Sequence, residues 1–186
     1  MVKVLVVLAD GFEETEALVP VDFLRRAGAE VSVAGLSSRS VCGSHGIRVC
    51  CDVLFSEVSG KEFDALVLPG GMPGASNLAS SSSLCNFIVS MNGNGKLIAA
   101  ICASPAVVLG PLGVLSGKKA VCYPGTENYS PSVKFYPDRV IHDKNIVTAR
   151  GAGCAVEFSL EIVSALFSKD KAEELALSVI HRTENL

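Results

Sequence analysis

Short apolar runs alternate with longer amphipathic stretches along the chain. Val2–Leu8, Asp64–Leu68 and Lys96–Ile101 are rich in apolar residues, and each run ends at small or turn-forming residues. Runs of this length and composition are typical of buried strands. Glu13–Ala27 has apolar residues at helical spacing and is followed by Gly28, a residue type that commonly ends helices. The pattern therefore predicts strands that alternate with helices.

The rest of the chain continues this alternation. It favours an α/β fold with a mostly parallel sheet and helices on both faces. No repeat or long linker interrupts it, and 186 residues fit one domain, so 1–186 is predicted to be a single domain. The further predicted elements are strands at Glu30–Gly35, Ile47–Asp52, Lys119–Tyr123, Arg139–His142 and Ile146–Ala149, and helices at Ser83–Met91, from Pro105, at Cys154–Phe167 and at Lys171–His181.

Composition and charge narrow the functional classes. Hydrophobic residues make up 49% of the chain and charged residues 19%, which allows a large core and argues against disorder. The formal net charge is −3 and no basic run occurs, so nucleic acid is not an expected partner. Val2–Leu8 is too short to span a bilayer and lacks a signal-peptide cleavage pattern. A membrane partner is not expected, and a cytoplasmic location is.

The chain has an odd number of cysteines and no sign of disulfide pairing. None of them forms a Cys-x-x-Cys pair, and no histidine is spaced to complete a zinc site, so no metal is expected. Reduced thiols are the natural state in the cytosol, where most would serve as small core residues. The seven positions are Cys42, Cys50, Cys51, Cys85, Cys102, Cys122 and Cys154.

Cys102 differs from the other cysteines in its surroundings. An apolar strand ends directly before it, and a helix is predicted to begin at Pro105. This strand–turn–helix order is that of a nucleophile elbow, in which small neighbours permit a tight turn. A helix N-terminus at this point would favour the thiolate and lower the cysteine pKa. A buried structural cysteine is the alternative, and the local sequence leaves both open.

Two further segments are predicted to lie at the same edge of the sheet, where ligands of open α/β sheets bind. Gly70 and Gly71 follow a strand and would let backbone N–H groups approach an oxyanion, although an ordinary turn also explains them. Glu16 precedes an apolar stretch, where a partly buried carboxyl would hold a proton. Acidic residues also favour helix N-termini for electrostatic reasons alone.

No conventional base or nucleotide motif accompanies these residues. Gly110–Lys119 is superficially similar to a P-loop, but the spacing from Gly113 to Gly117 is one residue short, and Lys119 stands where Ser or Thr is needed. A nucleotide-dependent kinase or dehydrogenase is therefore not expected. A histidine base would have to approach Cys102 in space rather than in sequence. The histidines are His45, His142 and His181.

Several stretches, taken together, resemble the ThiJ/PfpI superfamily, and within it the branch of the Parkinson's-disease-associated deglycase and its bacterial relatives. They run in family order from one end of the chain to the other, and their combination is highly specific although each alone is not. The stretches are Leu8–Glu16, Val19–Asp22, Arg25–Gly28, Val67–Gly71, Ala99–Ala103 and Arg150–Gly153.

The resemblance implies a flavodoxin-like three-layer sandwich that forms a homodimer. It places the reactive cysteine at Cys102, a protonated glutamate at Glu16, and oxyanion-type backbone donors at Gly71 and Ala103. Tyr123 departs from the pattern, because members of the nearest branch often have a histidine there. Further residues expected to line the site are Gly70, Tyr123 and Arg150. In the resembling proteins the region of Cys50 and Cys51 lies near the dimer interface, although two ordinary strand residues also explain these cysteines.

The expected function is a cysteine-dependent enzyme without a cofactor, acting on a small carbonyl substrate. Its substrates would be reactive dicarbonyls such as methylglyoxal or their early protein adducts, as in glyoxalases and deglycases that protect against carbonyl and oxidative stress. The alternative is a redox sensor or stress chaperone that acts through oxidation of Cys102. A peptidase or amidase is ranked last, because Ala103 stands where peptidase-like relatives have a histidine.

Overall fold

A seven-stranded sheet lies between two layers of helices in a computed structural model of the chain, which describes residues 1–58 and 62–181. The strands are β1 (Lys3–Leu8), β2 (Glu30–Gly35), β3 (Ser40–Cys42), β4 (Arg48–Cys50), β5 (Val53–Leu54), β6 (Ala65–Leu68), β7 (Leu97–Ile101), β8 (Val140–Asp143) and β9 (Ile146–Ala149). The α-helices are α1 (Glu14–Ala27), α2 (Gly74–Ala79), α3 (Ser82–Gly93), α4 (Ala155–Leu166) and α5 (Lys169–Ser178). Shorter helical segments are Phe55–Val58, Pro105–Leu109, Glu127–Tyr129 and Ala152–Cys154.

The order of the strands across the sheet is β5-β2-β1-β6-β7-β9-β8. All neighbours are parallel except β8, which is antiparallel to β9. The five central strands have the order of a flavodoxin-type sheet. β3 and β4 form a separate antiparallel hairpin. The predicted α/β class, with a mostly parallel sheet and helices on both faces, is confirmed.

Each face of the sheet has its own hydrophobic layer, because successive side chains of a strand point to opposite faces. In β1, Val4, Val6 and Leu8 belong to the layer that contains α1, α4 and α5. Leu5 and Val7 belong to the layer of α2 and α3. All of these β1 side chains are fully buried. Coverage of both faces explains why the strands are continuous apolar runs rather than alternating ones.

The predicted strand Lys119–Tyr123 is wrong. This segment makes only an isolated bridge, between Ala120 and Phe135. The Val121 N–H donates to Thr148 Oγ1 at 3.0 Å, and the Tyr123 N–H donates to the Cys102 carbonyl at 2.7 Å. The backbone N–H groups of this apolar run therefore donate to the Thr148 side chain and to the Cys102 turn, and not to a neighbouring strand. The short helix α2 was not predicted from the sequence. None of the described helices is long and apolar enough to cross a membrane.

Candidate active site

The carboxyl ends of β1, β6 and β7 bring the predicted site residues together. Glu16 lies in the first turn of α1, which follows β1, and Cys102 directly follows β7. Gly70 follows β6, and its N–H donates to Glu16 Oε2 at 2.9 Å although the two residues are 54 positions apart. β1 and β6 flank the point where the strand order reverses, which is where ligands of such sheets bind.

Cys102 has the strained backbone expected of a nucleophile elbow. Its φ angle is 65°, in the left-handed region that non-glycine residues rarely occupy. The Cys102 N–H donates to the Ala149 carbonyl at 2.9 Å, and its carbonyl accepts from the Tyr123 N–H. Bonds on both sides hold this conformation, since such strain persists only where the surroundings enforce it. The turn directs the sulfur toward Glu16.

Glycine is required at Gly70 because the loop after β6 passes between the two reactive side chains. A Cβ on Gly70 would lie 2.6 Å from Cys102 Cβ and 2.8 Å from Glu16 Oε2. Gly71 has a φ of 85°, and a Cβ there would clash with the Glu13 backbone. The buried Ser104 hydroxyl donates to the Pro69 carbonyl at 2.6 Å and ties this loop to the cysteine turn.

Glu16 is a fully buried carboxyl whose pKa is raised to about 7. Burial is the largest cause, and the charge of Glu13 adds to it, while hydrogen bonds with Cys102 and Gly70 act in the opposite direction. Glu16 Oε1 is buried without a hydrogen-bond partner among the described residues, and the Cys102 thiol interacts with the same carboxyl group. Near neutral pH this carboxyl therefore both holds and releases a proton.

The pKa of Cys102 is raised, to about 12, so the expected lowering by a helix N-terminus is wrong. Burial and the Glu16 charge raise it, and hydrogen bonds from the Gly71 and Ala103 N–H groups only partly oppose them. Pro105–Leu109 is a π-helix of five residues rather than a regular α-helix. Protonation of Glu16 removes its charge and this repulsion, so the pair titrates as one unit.

Tyr123 and Arg150 lie near Cys102 and Glu16, but their side chains have different surroundings. Tyr123 is 51% exposed, and its ring packs beside Gly151, where an added Cβ would lie 3.3 Å from Cδ2. The Arg150 guanidinium donates to the Pro137 carbonyl at 2.9 Å, rather than to Cys102 or Glu16. Tyr123 is thus bonded to Cys102 through its backbone and has a largely exposed side chain, whereas the Arg150 side chain is bonded to Pro137.

The described histidines have partners other than Cys102. His142 Nδ1 lies 2.8 Å from Glu161 Oε1. His45 Nδ1 lies 2.8 Å from Glu14 Oε2. A Cys–His pair, as a thiol peptidase needs, is not formed at this site by either residue.

Glu14, in the same helical turn as Glu16, is also a buried carboxylate. It is 5% exposed and accepts from the His45 N–H at 2.8 Å and the Ile47 N–H at 3.3 Å, besides the His45 ring. Desolvation alone would raise its pKa, but these hydrogen bonds together outweigh it and lower the pKa to about 2. Glu14 thereby fastens the β3–β4 turn to α1. Its offset of about 200° from Glu16 around the helix is a sequence signal for this separate role.

A metal-type donor set also occurs at this helix start. Ligand atoms of Glu13, Glu14 and His45 lie within 4.8 Å of one another. Glu13 caps α1 by accepting the Glu16 N–H at 2.7 Å, and Glu14 and His45 bond to each other. These hydrogen bonds engage the atoms that a metal would need, so the set is explained as a structural network.

The family to which the chain belongs follows from its similarity to known proteins. A sequence profile of the DJ-1/PfpI family matches residues 2–165. The chain belongs to the DJ-1/PfpI family. Protein DJ-1 homolog B of Arabidopsis thaliana is 40% identical over 182 residues, which are 97% of this chain and 42% of that protein. The chain thus spans less than half the length of this DJ-1/PfpI relative.

Two other DJ-1/PfpI relatives match over most of their length. The solved structure of Toxoplasma gondii DJ-1, described as oxidized, superimposes with a TM-score of 0.94 at 42% identity, covering 97% of this chain and 99% of that one. Glutathione-independent glyoxalase DJR-1.2 of Caenorhabditis elegans is 34% identical over 164 residues, covering 88% of this chain and 87% of that protein. The ThiJ/PfpI resemblance and the flavodoxin-like fold are confirmed.

Proposed function

We propose that this DJ-1/PfpI family member is a cysteine-dependent enzyme that needs no cofactor and converts reactive dicarbonyls or their early protein adducts, in the manner of a glyoxalase or deglycase. The main support is the buried Glu16 carboxyl, with a pKa of about 7, beside the thiol of Cys102. A general acid–base works best with a pKa near the working pH. The glyoxalase name of the Caenorhabditis elegans relative supports the same reaction class.

The first step of the proposed reaction is attack by the Cys102 sulfur on the aldehyde carbon of methylglyoxal. The thiol proton passes to the Glu16 carboxylate, and this transfer avoids the repulsion that raises the thiol pKa. The attack forms a C–S bond and turns the aldehyde oxygen into an oxyanion. The N–H groups of Gly71 and Ala103, which hydrogen-bond to the sulfur, are the nearby donors for this charge. The protonated Glu16 then gives the former thiol proton to this oxyanion, which forms the hemithioacetal and restores the Glu16 carboxylate.

The remaining steps are a proton shuttle and a hydrolysis. Glu16 removes the proton from the former aldehyde carbon and returns it to the neighbouring carbon, while the hydroxyl proton of the hemithioacetal moves to the former ketone oxygen. The product is a thioester of lactate on Cys102. Water then cleaves the C–S bond and releases lactate and the thiol. The sum is methylglyoxal plus water giving lactate, so no external oxidant or reductant is consumed.

The test is lactate formation from methylglyoxal by fully reduced protein without added cofactor. We expect Cys102→Ser to abolish it, whereas Cys50→Ser keeps it, because Cys50 is an exposed strand residue away from the sheet edge that holds the site. Lactate formation that survives in Cys102→Ser would contradict the assigned nucleophile. Absence of lactate from folded wild-type protein would contradict the proposed reaction.

Redox sensing through Cys102, which would also suit a stress chaperone, is the second candidate. Glu16 and the Gly71 and Ala103 N–H groups surround the sulfur with hydrogen-bonding groups that suit a sulfinate as well as a reaction intermediate. The oxidized state named for the Toxoplasma gondii structure points the same way. Peroxide titration followed by peptide mass analysis tests it, and oxidation spread evenly over the cysteines would count against it.

A homodimer, working in the cytoplasm, is also proposed. Leu18 is 40% exposed and Ile47 is 54% exposed. Ile47 donates its N–H to Glu14, one helical turn before Leu18, so the two apolar side chains belong to one surface region. Exposed apolar patches mark association surfaces. Light scattering should give twice the chain mass for the wild type and the single mass for Ile47→Asp; a monomeric wild type would refute the dimer.

A further inference from the structure

A second concave site lies at the opposite end of β9 from Cys102. Cys102 is bonded to Ala149 at the end of β9, whereas the second site includes Asp143, which pairs with Ile146 at the start of that strand. The cavity has a volume of about 750 Å³, within the range of small-molecule sites. We refer to it as the lysine groove, and its walls are formed by residues of the segments 110–119 and 129–136 together with Asp143.

The charged lining of the lysine groove is strongly one-sided. Lys118, Lys119 and Lys134 line it, against the single carboxylate of Asp143. That carboxylate already accepts the backbone N–H of Lys119 at 2.7 Å. Among the described residues, no carboxylate forms a salt bridge with any of these three lysines. The described lining of the groove therefore carries three positive charges against one negative charge, although the chain as a whole is acidic.

Local contacts hold two of the lysines in place. The Lys118 ammonium donates to Asn92 Oδ1 and to the Val114 carbonyl, each at 2.9 Å. Burial and the nearby Lys144 charge lower the pKa of Lys118, and Asp143 offsets this only in part. Lys134 Nζ lies 5.2 Å from the ring centroid of Tyr136. Cationic side chains that are already held in place bind an anion without much further loss of side-chain freedom.

The backbone that lines the groove contains glycines and leaves space beside at least one of them. Gly113 and Gly117 have φ angles of 71° and 67°, and a Cβ on Gly117 would meet nothing within 4 Å. The segment is a series of turns rather than the strand–loop–helix of a P-loop, which agrees with its faulty motif spacing. The structure thus offers cationic side chains for binding and no phosphate cradle for phosphoryl transfer.

We propose that the lysine groove binds a small molecule that carries two or more linked phosphate groups. Linked phosphates match several cations spread along one groove, whereas a single carboxylate would engage only one of them. The site is separate from Cys102, so this inference does not depend on the proposed function.

Tripolyphosphate is the probe, titrated by calorimetry into the full chain at low ionic strength. We expect saturable one-to-one binding that weakens by about a hundredfold in Lys119→Gln/Lys134→Gln, since each of the two lost charge-assisted bonds costs about a factor of ten. Both lysines are exposed, so the fold should survive, as circular dichroism will show. Lys169→Gln on α5 is the matched control and should bind like the wild type.

The location and independence of the site are tested with the same probe. Amide NMR shifts should concentrate in 110–119 and 129–136, and Cys102→Ser should bind tripolyphosphate like the wild type. No saturable binding, shifts outside the groove, or equal weakening by Lys169→Gln would overturn the proposal, whatever the result of the lactate assay.

Discussion

Glu14 and Glu16 are two buried carboxyls on the same first turn of α1, yet their pKa values are shifted in opposite directions. The pKa of Glu14 is lowered to about 2, and that of Glu16 is raised to about 7. Both are removed from water, so burial alone does not explain the difference. Glu14 accepts N–H groups from His45 and Ile47 besides the His45 ring, whereas Glu16 accepts one from Gly70 and faces a thiol.

The comparison indicates that the hydrogen-bond donors around a buried carboxyl, set against the desolvation it suffers, decide its protonation. A carboxylate with several donors is stabilised as an anion, and it then serves as a structural tie. A carboxyl with few donors retains a proton near neutral pH and is available for proton transfer. Glu14 therefore fixes the β3–β4 turn, and Glu16 is suited to work with Cys102.

The largest expected difference between the two carboxyls is in activity. Glu16→Gln should lower kcat/KM for methylglyoxal by about 10²–10⁴-fold, since general acid–base groups contribute that much. Glu14→Gln should keep most of the activity, because its contacts are with the hairpin turn. The measurement is lactate formation, and an equal loss in both variants would erase the proposed division of roles.

The effect on stability should be larger for Glu14→Gln than for Glu16→Gln, which is the reverse of the expected order for activity. Glu14→Gln should lower the free energy of unfolding by about 1–3 kcal/mol, because buried donors lose a charged acceptor. Glu16→Gln should cost less, since the amide oxygen still accepts from Gly70 and no charge is buried. Urea denaturation of both variants measures the difference. A greater loss in Glu16→Gln would contradict the comparison.

The pH dependence of stability should have opposite signs for the two residues. The ordinary pKa is 4.5, so the contribution of Glu14 is present above pH 4.5 and is lost as the pH falls toward 2. The folded state holds the Glu16 proton more tightly than the unfolded state, so this contribution to stability declines as the pH rises from 4.5 to about 7.

The free energy of unfolding is measured between pH 2 and pH 7 for the wild type, Glu14→Gln and Glu16→Gln. The wild-type value minus the value of each variant gives the contribution of that glutamate at each pH. The Glu14 curve should rise with pH below 4.5, and the Glu16 curve should fall above it. Two curves of the same sign would show that one of the shifts has the wrong direction.

The smallest expected effect comes from Glu13. Its charge raises the pKa of Glu16, and its carboxylate caps α1. Glu13→Gln retains an oxygen acceptor for the cap but removes the charge, so the Glu16 pKa should fall by a fraction of a unit. Carbon NMR of the labelled carboxyl measures this directly. An unchanged or higher pKa would remove Glu13 from the electrostatic account.

Much of the fold could be predicted from the sequence because its information is local. The apolar run of β1 and the helical spacing of α1 with its Gly28 stop lie within a few neighbouring residues. Lys119–Tyr123 was predicted wrongly because its apolar pattern suits a strand, whereas Thr148 and Cys102, distant in sequence, supply its bonding partners. Local patterns do not encode which acceptors a segment will meet.

Some features of the candidate site could likewise be predicted from the sequence, and others required the tertiary structure. The residue types of Cys102, Glu16 and Gly70–Gly71, and their places after predicted strands, were determined by the sequence alone. Only the tertiary structure decided that Glu16 has fewer donors than Glu14, and that the Cys102 pKa is raised rather than lowered. The reason is physical: a pKa depends on burial and on every donor and charge within a few ångströms, and those neighbours come from β6, the β3–β4 turn and the end of β7.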